Sequence, residues 1–183
     1  MHSIDVSHNQ VTTRCGSTEG MFIMQSVQIT SAEFRKVLGT FATGVTVVTT
    51  QIHGKVHGMT ANAFTSVSLN PPLVLVAVNK EAETYQYIQA AKKFGISILS
   101  ADQSDLSNYY AGEPDPEIEK TIQYDYLNDI PVLGTCLSNL VCNLWAEYDG
   151  GDHSLFIGEV TALKLQGGNP LLFFSSKYRE LSN

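Results

Sequence analysis

The feature that most restricts the fold of this chain is a series of short apolar segments, each closed by a turn. Residues 45–50 are all Val or Thr, and such β-branched side chains favour a strand because they pack well on a pleated surface. Similar segments occupy residues 73–78, 94–99, 137–148, 155–165 and 171–174, and turn residues stand at 53–54, 149–152 and 167–170. Turns of hairpin length favour antiparallel pairing. The pattern predicts a mostly β fold with short helices, an antiparallel barrel or sandwich.

Three helical segments interrupt these strands. The first is predicted to begin after Thr30 or Ser31, with Glu33 near its positive end, and to cover residues 34–42. Its helical spacing predicts that Phe34, Val37, Leu38 and Phe41 are buried. The second is expected over residues 82–93, and the third begins near residue 102 and ends at Gly112. The acidic segment, residues 113–129, is predicted to be a solvated loop.

Length and charge narrow the class of protein. The chain has 183 residues, which suits one folded domain over residues 29–183 preceded by a flexible tail over residues 1–28. The net charge is −7 and Lys and Arg number 11, so a broad basic face for nucleic acid is not expected. No apolar run approaches the ~20 residues that a membrane span needs. We therefore expect neither a nucleic-acid nor a membrane partner.

The cysteines and histidines do not indicate a metal site or a disulfide framework. Cys15, Cys136 and Cys142 form no C-x-x-C pair, and reduced thiols in a cytoplasmic protein are the expectation. His53 and His57 are four residues apart, but the glycines beside them favour a turn and a strand, in which the two rings do not converge on a metal. Cys142 is expected to be a buried thiol rather than a nucleophile.

The unusual stretch is residues 58–72, called here the hydroxyl-rich segment, in which small and hydroxylated residues replace the expected apolar strand. Such a segment exposes backbone amides and hydroxyl donors at close approach, which suits a flat heteroaromatic ring with an attached phosphate. No G-x-G-x-x-G or Walker-type loop is present, so a nucleotide would have to bind outside a Rossmann site. On local composition alone, an edge strand with ordinary exposed hydroxyls is the favoured interpretation.

Several segments in order along the chain resemble the short-chain flavin reductase family. They are residues 41–50, 58–64, 66–71, 73–76, 98–100, 151–160 and 170–175, with Asp102-Gln103 and Lys177-Tyr178. The resemblance is strongest to the reductase components of two-component phenol 2-monooxygenases, and it spans residue 34 to the C-terminus. It implies an FMN-binding split β-barrel, antiparallel and of Greek-key type, that binds FAD or FMN as a homodimer.

The same resemblance assigns the site residues. Met59, Thr60, Ala61, Asn62 and Ala63 would lie along the flavin ring, with Ser66 and Ser68 nearby, while Ala77, Val78, Asn79, Lys80 and Thr84 would follow the ribityl chain to the phosphate. Tyr110, Ala111 and Gly112 would close the pocket, and His153 and Tyr178 would border the nicotinamide. Relatives carry Arg-x-Ser-x-Thr where this chain has residues 80–84, which introduces Glu81 and Glu83 beside the presumed phosphate.

The activity implied is reduction of flavin by NADH or NADPH, with free reduced flavin passed to a separate monooxygenase that acts on phenol or 4-hydroxyphenylacetate. The two cofactors supply the hydride chemistry, so no catalytic acid is required. Judged without the resemblance, His153 has the alternative of being a surface histidine in a hairpin, and Tyr178 that of being a packed aromatic. A non-catalytic flavin-binding protein of the same fold is the main alternative, and an enzyme like pyridoxamine-phosphate oxidase is a more distant one. The preferred flavin and nicotinamide stay open, as does whether flavin remains bound.

Overall fold

The computed structural model describes residues 28–181, so the predicted N-terminal tail lies outside these residues except for its last position. The described chain contains four short helices and twelve strands. The helices are α1 (Ser31–Leu38), α2 (Glu83–Ala91), α3 (Ser104–Tyr110) and α4 (Pro116–Thr121). The strands are β1 (Thr43–Gly44), β2 (Thr46–Ile52), β3 (Lys55–Ala61), β4 (Phe64–Leu69), β5 (Pro72–Asn79), β6 (Lys93–Ile98), β7 (Tyr124–Leu127), β8 (Ile130–Leu133), β9 (Ser138–Gly150), β10 (His153–Leu165), β11 (Leu172–Phe174) and β12 (Lys177–Arg179).

Seven strands form one antiparallel sheet in the order β3-β2-β6-β9-β10-β5-β4. The two edge strands, β3 and β4, are joined only by Asn62 and Ala63, a link that spans at most about 11 Å, three Cα–Cα steps of about 3.8 Å. Seven flat strands would hold their edges about 29 Å apart, six spacings of about 4.8 Å. The sheet must therefore roll until its edges approach, yet β3 and β4 do not pair. This arrangement confirms the predicted antiparallel, split-barrel class.

Glycine turns fix the hairpins that the sequence predicts. His53 and Gly54 connect β2 to β3 with φ of 50° and 78°, the double positive φ that suits the twist of a two-residue hairpin. Gly151, with φ of 79°, opens the equally short turn between β9 and β10. Gly167 and Gly168 also have positive φ and lead the chain toward β11. All three turns were predicted from the sequence.

The rolled sheet encloses the main core. Val48, Val76, Phe94, Ile96 and Phe156 are fully buried there, and Ile88 of α2 packs with them. A second cluster of apolar residues lies between β2, α3 and the C-terminal strands, and it includes Val47, Leu99, Tyr110 and Leu171. The alternating burial of β5 follows from its place in the sheet, since successive side chains point to opposite faces. Among residues 28–181, no helix has both the length and the apolar character to cross a bilayer.

The first helix begins as predicted, but the predicted burial of its apolar side chains is wrong. Thr30 and Glu33 form a reciprocal capping box, in which the Glu33 amide donates to Thr30 Oγ1 at 3.2 Å. The helix ends at Leu38, and Phe34, Val37 and Phe41 are 57%, 66% and 72% exposed. Helical spacing shows that one face of a helix is apolar, but it does not show whether another part of the same chain packs against that face. In the described chain nothing buries this face.

The acidic segment is largely exposed, as its charge predicted, but it is not a loop, because it contains a helix and a strand. Asp115 caps α4 by accepting a hydrogen bond from the Glu117 amide at 2.8 Å. The following strand β7 pairs with β8, whose residues are all buried. Lys164 of β10 donates to Asp125 Oδ2 at 2.7 Å. The charge of the segment did not predict the helix or the hairpin, because the apolar strand β8 that pairs with β7 lies after the acidic residues.

Candidate functional site

A cavity of about 400 Å³ lies where the edge strand β3 meets the start of α2 and the end of α3. Its volume is within the range typical of small-molecule sites. It is lined by His57, Gly58, Met59, Thr60, Ala82, Glu83, Thr84, Tyr110, Ala111 and Gly112. Six of these ten were predicted from the sequence to contact flavin: Met59, Thr60, Thr84, Tyr110, Ala111 and Gly112. The structure thus brings three separate predicted segments to one place.

Four lining residues were not predicted as flavin contacts: His57, Gly58, Ala82 and Glu83. Each lies within two residues of a predicted contact, so the same segments carried the signal. In the sequence, His57 stands out only as a candidate metal ligand beside His53, and Glu83 only as a departure from the family pattern. Strand β3 lies at the edge of the sheet, and one of its sides pairs with no other strand within residues 28–181, so its backbone can form part of the cavity wall.

Gly58 allows a tyrosine ring to lie against the backbone of β3. A Cβ atom at this position would stand 2.6 Å from Cε1 and 2.8 Å from Cδ1 of Tyr110. The hydroxyls of Tyr110 and Tyr124 are 2.6 Å apart, which fixes the far end of the same ring. Burial, and then the contact with Tyr124, raises the pKa of Tyr110 well above its usual range, so the phenol is neutral at all ordinary pH values. The cavity therefore has a fixed, uncharged aromatic wall.

Helix α3, which carries that ring, is held from two further sides. Thr60 of β3 donates its hydroxyl hydrogen to the Ser107 carbonyl at 2.6 Å. Tyr178 of β12 donates to Asn108 Oδ1 at 2.8 Å and lies 2.9 Å from Ser107 Oγ. These contacts explain the intermediate burial of Thr60 and Tyr178. They also give Tyr178 a packing role in addition to the predicted one beside the nicotinamide.

The start of α2 forms the second wall. Its N-cap, Ala82, makes no side-chain hydrogen bond, so the first-turn amides are not capped by a side chain. Thr84 is 4% exposed. Lys80, predicted to lie along the path to the phosphate, is instead paired with Asp149 and donates to the Gly151 carbonyl at 2.7 Å. The hydrogen bond with Asp149 raises the pKa of Lys80 above its usual value.

The remaining predicted flavin residues lie outside the lining of this cavity. Ala61 and Val78 point into the main core, at 7% and 0% exposure. The Ala63 carbonyl accepts from the Ala77 amide at 3.0 Å, and Ala77 and Asn79 lie on β5. Asn62 lines a second cavity of about 270 Å³ together with Phe41, Ala42, Thr43, Gly44, Thr46, Phe64 and Ile98. Ser66 and Ser68 lie on β4 beside a register shift, in the edge strand that composition alone had favoured.

The two predicted nicotinamide residues do not share a cavity. His153 begins β10 opposite Asn79, and its Nδ1 atom is 2.8 Å from Asp152 Oδ1. The hydrogen bond from His153 lowers the pKa of Asp152. Tyr178 lines a cavity of about 320 Å³ with Ala101, Ser104, Leu171, Arg179 and Glu180. His153 lines neither this cavity nor the one on β3.

Comparison with known proteins identifies the family. A family model described as a flavin reductase like domain matches residues 38–182. An NADH-dependent flavin reductase of Rhodococcus sp is 42% identical over 160 residues, which cover 84% of this chain and 88% of that relative. The reductase component of 4-hydroxyphenylacetate 3-monooxygenase of Thermus thermophilus is 39% identical over 149 residues, covering 81% of this chain and 95% of that protein.

The fold agrees with these sequence relationships. The solved structure of flavin reductase PheA2 in its native state has a TM-score of 0.81 with this chain at 47% identity. The likeness covers 85% of this chain and 100% of that one. The family match extends from the end of α1 to beyond β12, and so includes all three walls of the cavity on β3. This chain belongs to the flavin reductase family.

Proposed function

We propose that this chain is an NADH-dependent flavin reductase that binds its flavin in the cavity on β3. Membership of the flavin reductase family carries the activity, because relatives that match more than four fifths of the chain are named for it. The convergence of three predicted segments on one cavity is the observation that supports the location. The same comparisons favour an enzyme over the non-catalytic flavin-binding protein that the sequence left open.

The residues of the cavity suit a flat, polar-edged ring. Gly58, Ala82, Ala111 and Gly112 keep the walls free of bulky side chains. Tyr110 offers a flat aromatic surface, on which rings pack favourably when offset or edge to face. Among the described strands, β3 pairs only with β2, so alternate backbone groups of β3 are not used by the sheet. These groups provide hydrogen-bond partners for the polar edge of a flavin.

The flavin and the nicotinamide supply the hydride transfer between them, and the chain supplies binding and orientation. Backbone amides of β3 are placed to stabilise negative charge that develops on the ring edge. The neutral phenol of Tyr110 adds no charge to this wall. His153 and Tyr178 remain the proposed contacts on the nicotinamide side. Because these two residues line no common cavity in the chain, we propose that they contact different parts of the dinucleotide or belong to different subunits.

We also propose that the protein is a homodimer. The apolar face of α1, defined by Phe34, Val37 and Leu38, and the adjoining Phe41 are at least half exposed. Contiguous exposed apolar surface of this kind marks an interaction site in soluble proteins. A second copy of the chain is the simplest partner, because isologous dimers are the commonest soluble oligomers. In the proposed dimer, the second copy would cover these exposed side chains.

The partner in catalysis is a separate flavin-dependent monooxygenase that receives diffusible reduced flavin. The relative from Thermus thermophilus is named as the reductase component of such an enzyme. For this chain we propose an oxygenase acting on phenol or a similar aromatic compound. A cytoplasmic location completes the proposal, supported by the unpaired, buried thiols of Cys136 and Cys142.

One anaerobic assay tests the central proposal. Purified protein is mixed with NADH or NADPH and with FAD or FMN, and both the nicotinamide and the flavin absorbance are followed. We expect NADH to be consumed and the flavin absorbance to bleach in equal amounts, with many turnovers per protein molecule. Flavin binding without NADH oxidation would instead establish the non-catalytic alternative.

A further inference from the structure

Helix α3 runs from one cavity of the protein to another. The cavity of about 320 Å³ that Tyr178 lines is called here the β12 cavity, and Ser104, the first residue of α3, also lines it. The last residue of the helix, Tyr110, lines the cavity on β3. At a rise of about 1.5 Å per residue, the ends of this helix lie about 9 Å apart. A shift of α3 therefore alters the wall of the proposed flavin site.

The position of α3 depends on contacts with the rest of the chain, because a helix of seven residues is not stable alone in water. Two of these contacts start at residues of the flavin cavity. Thr60 donates to the Ser107 carbonyl, and the hydroxyl of Tyr110 meets that of Tyr124. The contact with Tyr178 comes from outside that cavity. Through it, a residue of the β12 cavity bears on the flavin site.

The hydroxyl of Tyr178 bonds to two neighbouring side chains of α3. Asn108 Oδ1, at 2.8 Å, can only accept, so it receives the phenol hydrogen. The hydroxyl of Ser107, at 2.9 Å and fully buried, then donates to the phenol oxygen. The Tyr178 ring itself packs edge-on against Phe173, with centroids 5.6 Å apart. Removing only the hydroxyl therefore changes the polar contacts and leaves this packing in place.

Asn108 connects this contact to the segment that closes the flavin cavity. Its carbonyl accepts from the Ala111 amide at 3.0 Å and from the Glu113 amide at 3.1 Å, on either side of Gly112. Gly112 has a φ of 98°, a conformation that suits glycine because it lacks a Cβ atom. Ala111 and Gly112 both line the cavity. The residue held by Tyr178 is thus the one whose carbonyl fixes the turn in the cavity wall.

We propose that Tyr178 is a positioning residue for the flavin, which acts through Asn108 to hold the end of α3 and the Gly112 turn against the cavity on β3. The inference rests on the proposed flavin site. A residue that contacts only the nicotinamide alters KM for NADH and leaves flavin binding in the absence of NADH unchanged. His153, whose ring contacts Asp152, is expected to behave in that way. Tyr178 is expected to change flavin binding even when no nicotinamide is present.

The test measures dissociation constants for FAD and for FMN without NADH, by fluorescence titration of the full chain. Tyr178→Phe should weaken flavin binding by about fivefold, the effect of losing one typical hydrogen bond. Asn108→Ala should weaken it by a similar factor, and the double variant no further, because both substitutions remove one shared contact. Asn108→Asp keeps an acceptor for the phenol and should stay within about twofold of the wild type. Tyr126→Phe, at an exposed position that lines neither cavity, is the control.

The outcomes separate this inference from the proposed function. If the wild type binds flavin and oxidises NADH, but Tyr178→Phe binds flavin with wild-type affinity, the flavin site stands and the positioning role is overturned. Additive effects of Tyr178→Phe and Asn108→Ala would also overturn it, because the two side chains would then act separately. The same holds if Asn108→Asp binds flavin as weakly as Asn108→Ala. If the wild type neither binds flavin nor oxidises NADH, the proposed function itself fails.

Discussion

Gly58 is the residue on which the shape of the proposed flavin site depends most directly. A methyl group there would overlap the Tyr110 ring at 2.6 Å, and that ring is 9% exposed and tied to Tyr124. Gly58→Ala should therefore force the ring toward the cavity, weakening flavin binding by about tenfold or more and destabilising the fold by ~1–3 kcal/mol. Flavin titration and urea unfolding measure the two effects.

A matched control for this substitution is Gly134→Ala. A Cβ atom at residue 134 would meet its nearest neighbour at 3.4 Å, an ordinary contact, and the residue does not line the cavity. We expect it to retain wild-type flavin affinity. Normal affinity in the Gly58→Ala variant as well would place the flavin away from Tyr110. By contrast, bulky replacements of Ala61 would report on core packing, since that side chain faces the core.

The tyrosine pair predicts a dependence on alkaline pH. Burial raises the pKa of both Tyr110 and Tyr124 above the ordinary value of about 10. A group whose pKa is higher in the folded than in the unfolded state contributes stability that is complete below the unfolded pKa and is lost as the pH rises toward the folded one. The free energy of unfolding should stay level through neutral pH and fall above pH about 10.

Urea unfolding between neutral pH and strongly alkaline pH checks this dependence. Tyr124→Phe removes one of the two groups, so its stability should fall less steeply with pH than that of the wild type. Tyr126→Phe, at a 54% exposed position of the same strand, serves as the control and should keep the wild-type slope. Identical slopes in all three proteins would mean that the buried pair does not titrate with unfolding.

At the scale of elements, local signals predicted the strands and turns well. The Val and Thr run became β2, and the three glycine turns joined the strands as expected, because β-branching and positive φ act within a few residues. These local patterns did not predict burial or pairing that depends on residues distant in the sequence. The burial of α1 and the hairpin inside the acidic segment depend on surfaces that no local pattern describes. The same holds for the candidate site. The segments that line it were predictable from the sequence, whereas the close approach of Tyr110 to Gly58 could be seen only in the folded structure.

The β9–β10 hairpin carries the clearest prediction at this scale. Lys80, which follows β5, forms an ion pair with Asp149 beside the turn of this hairpin, and His153 pairs with Asn79 of β5. Because His153 lies outside the lining of the flavin cavity, His153→Ala should raise KM for NADH or slow hydride transfer while flavin affinity stays within about twofold. Steady-state kinetics and flavin titration check it. A variant that loses flavin binding but keeps its NADH kinetics contradicts the assignment.

For the whole molecule, the exposed apolar face of α1 predicts that two copies of the chain form a dimer. Light scattering should give about twice the chain mass of 20.0 kDa. Phe34→Ser combined with Val37→Ser should shift the protein toward monomer without unfolding it, because both side chains are exposed in the single chain. Lys36→Ser, on the polar face of the same helix, should remain dimeric. A fully active wild-type monomer at micromolar concentration would exclude the homodimer.

The structure also bears on whether this chain can hydroxylate a substrate by itself. A hydroxylating enzyme must shelter reduced flavin and hold an organic substrate beside it. Within residues 28–181, the longest connection between strands of the seven-stranded sheet joins β6 to β9, and it is anchored rather than free to close. The Leu133 amide of this connection donates to Ser97 Oγ of β6 at 2.9 Å, and Asp125 accepts from Lys164 of β10 at 2.7 Å. The Ser107 carbonyl accepts from Thr60 of β3 at 2.6 Å. Reduced flavin should therefore leave by diffusion. With NADH, flavin and air, the products should be oxidised flavin and hydrogen peroxide.

A dialysis membrane gives the decisive form of this experiment. The reductase, with NADH and flavin, is placed on one side, and a separate flavin-dependent oxygenase with its aromatic substrate is placed on the other. Hydroxylation on the far side is expected because the carrier is a small molecule that crosses the membrane. A control without flavin should give none, since the two proteins never meet. Hydroxylation of phenol by the reductase alone would overturn the two-component interpretation, because the chain would then have to enclose the oxygen chemistry itself.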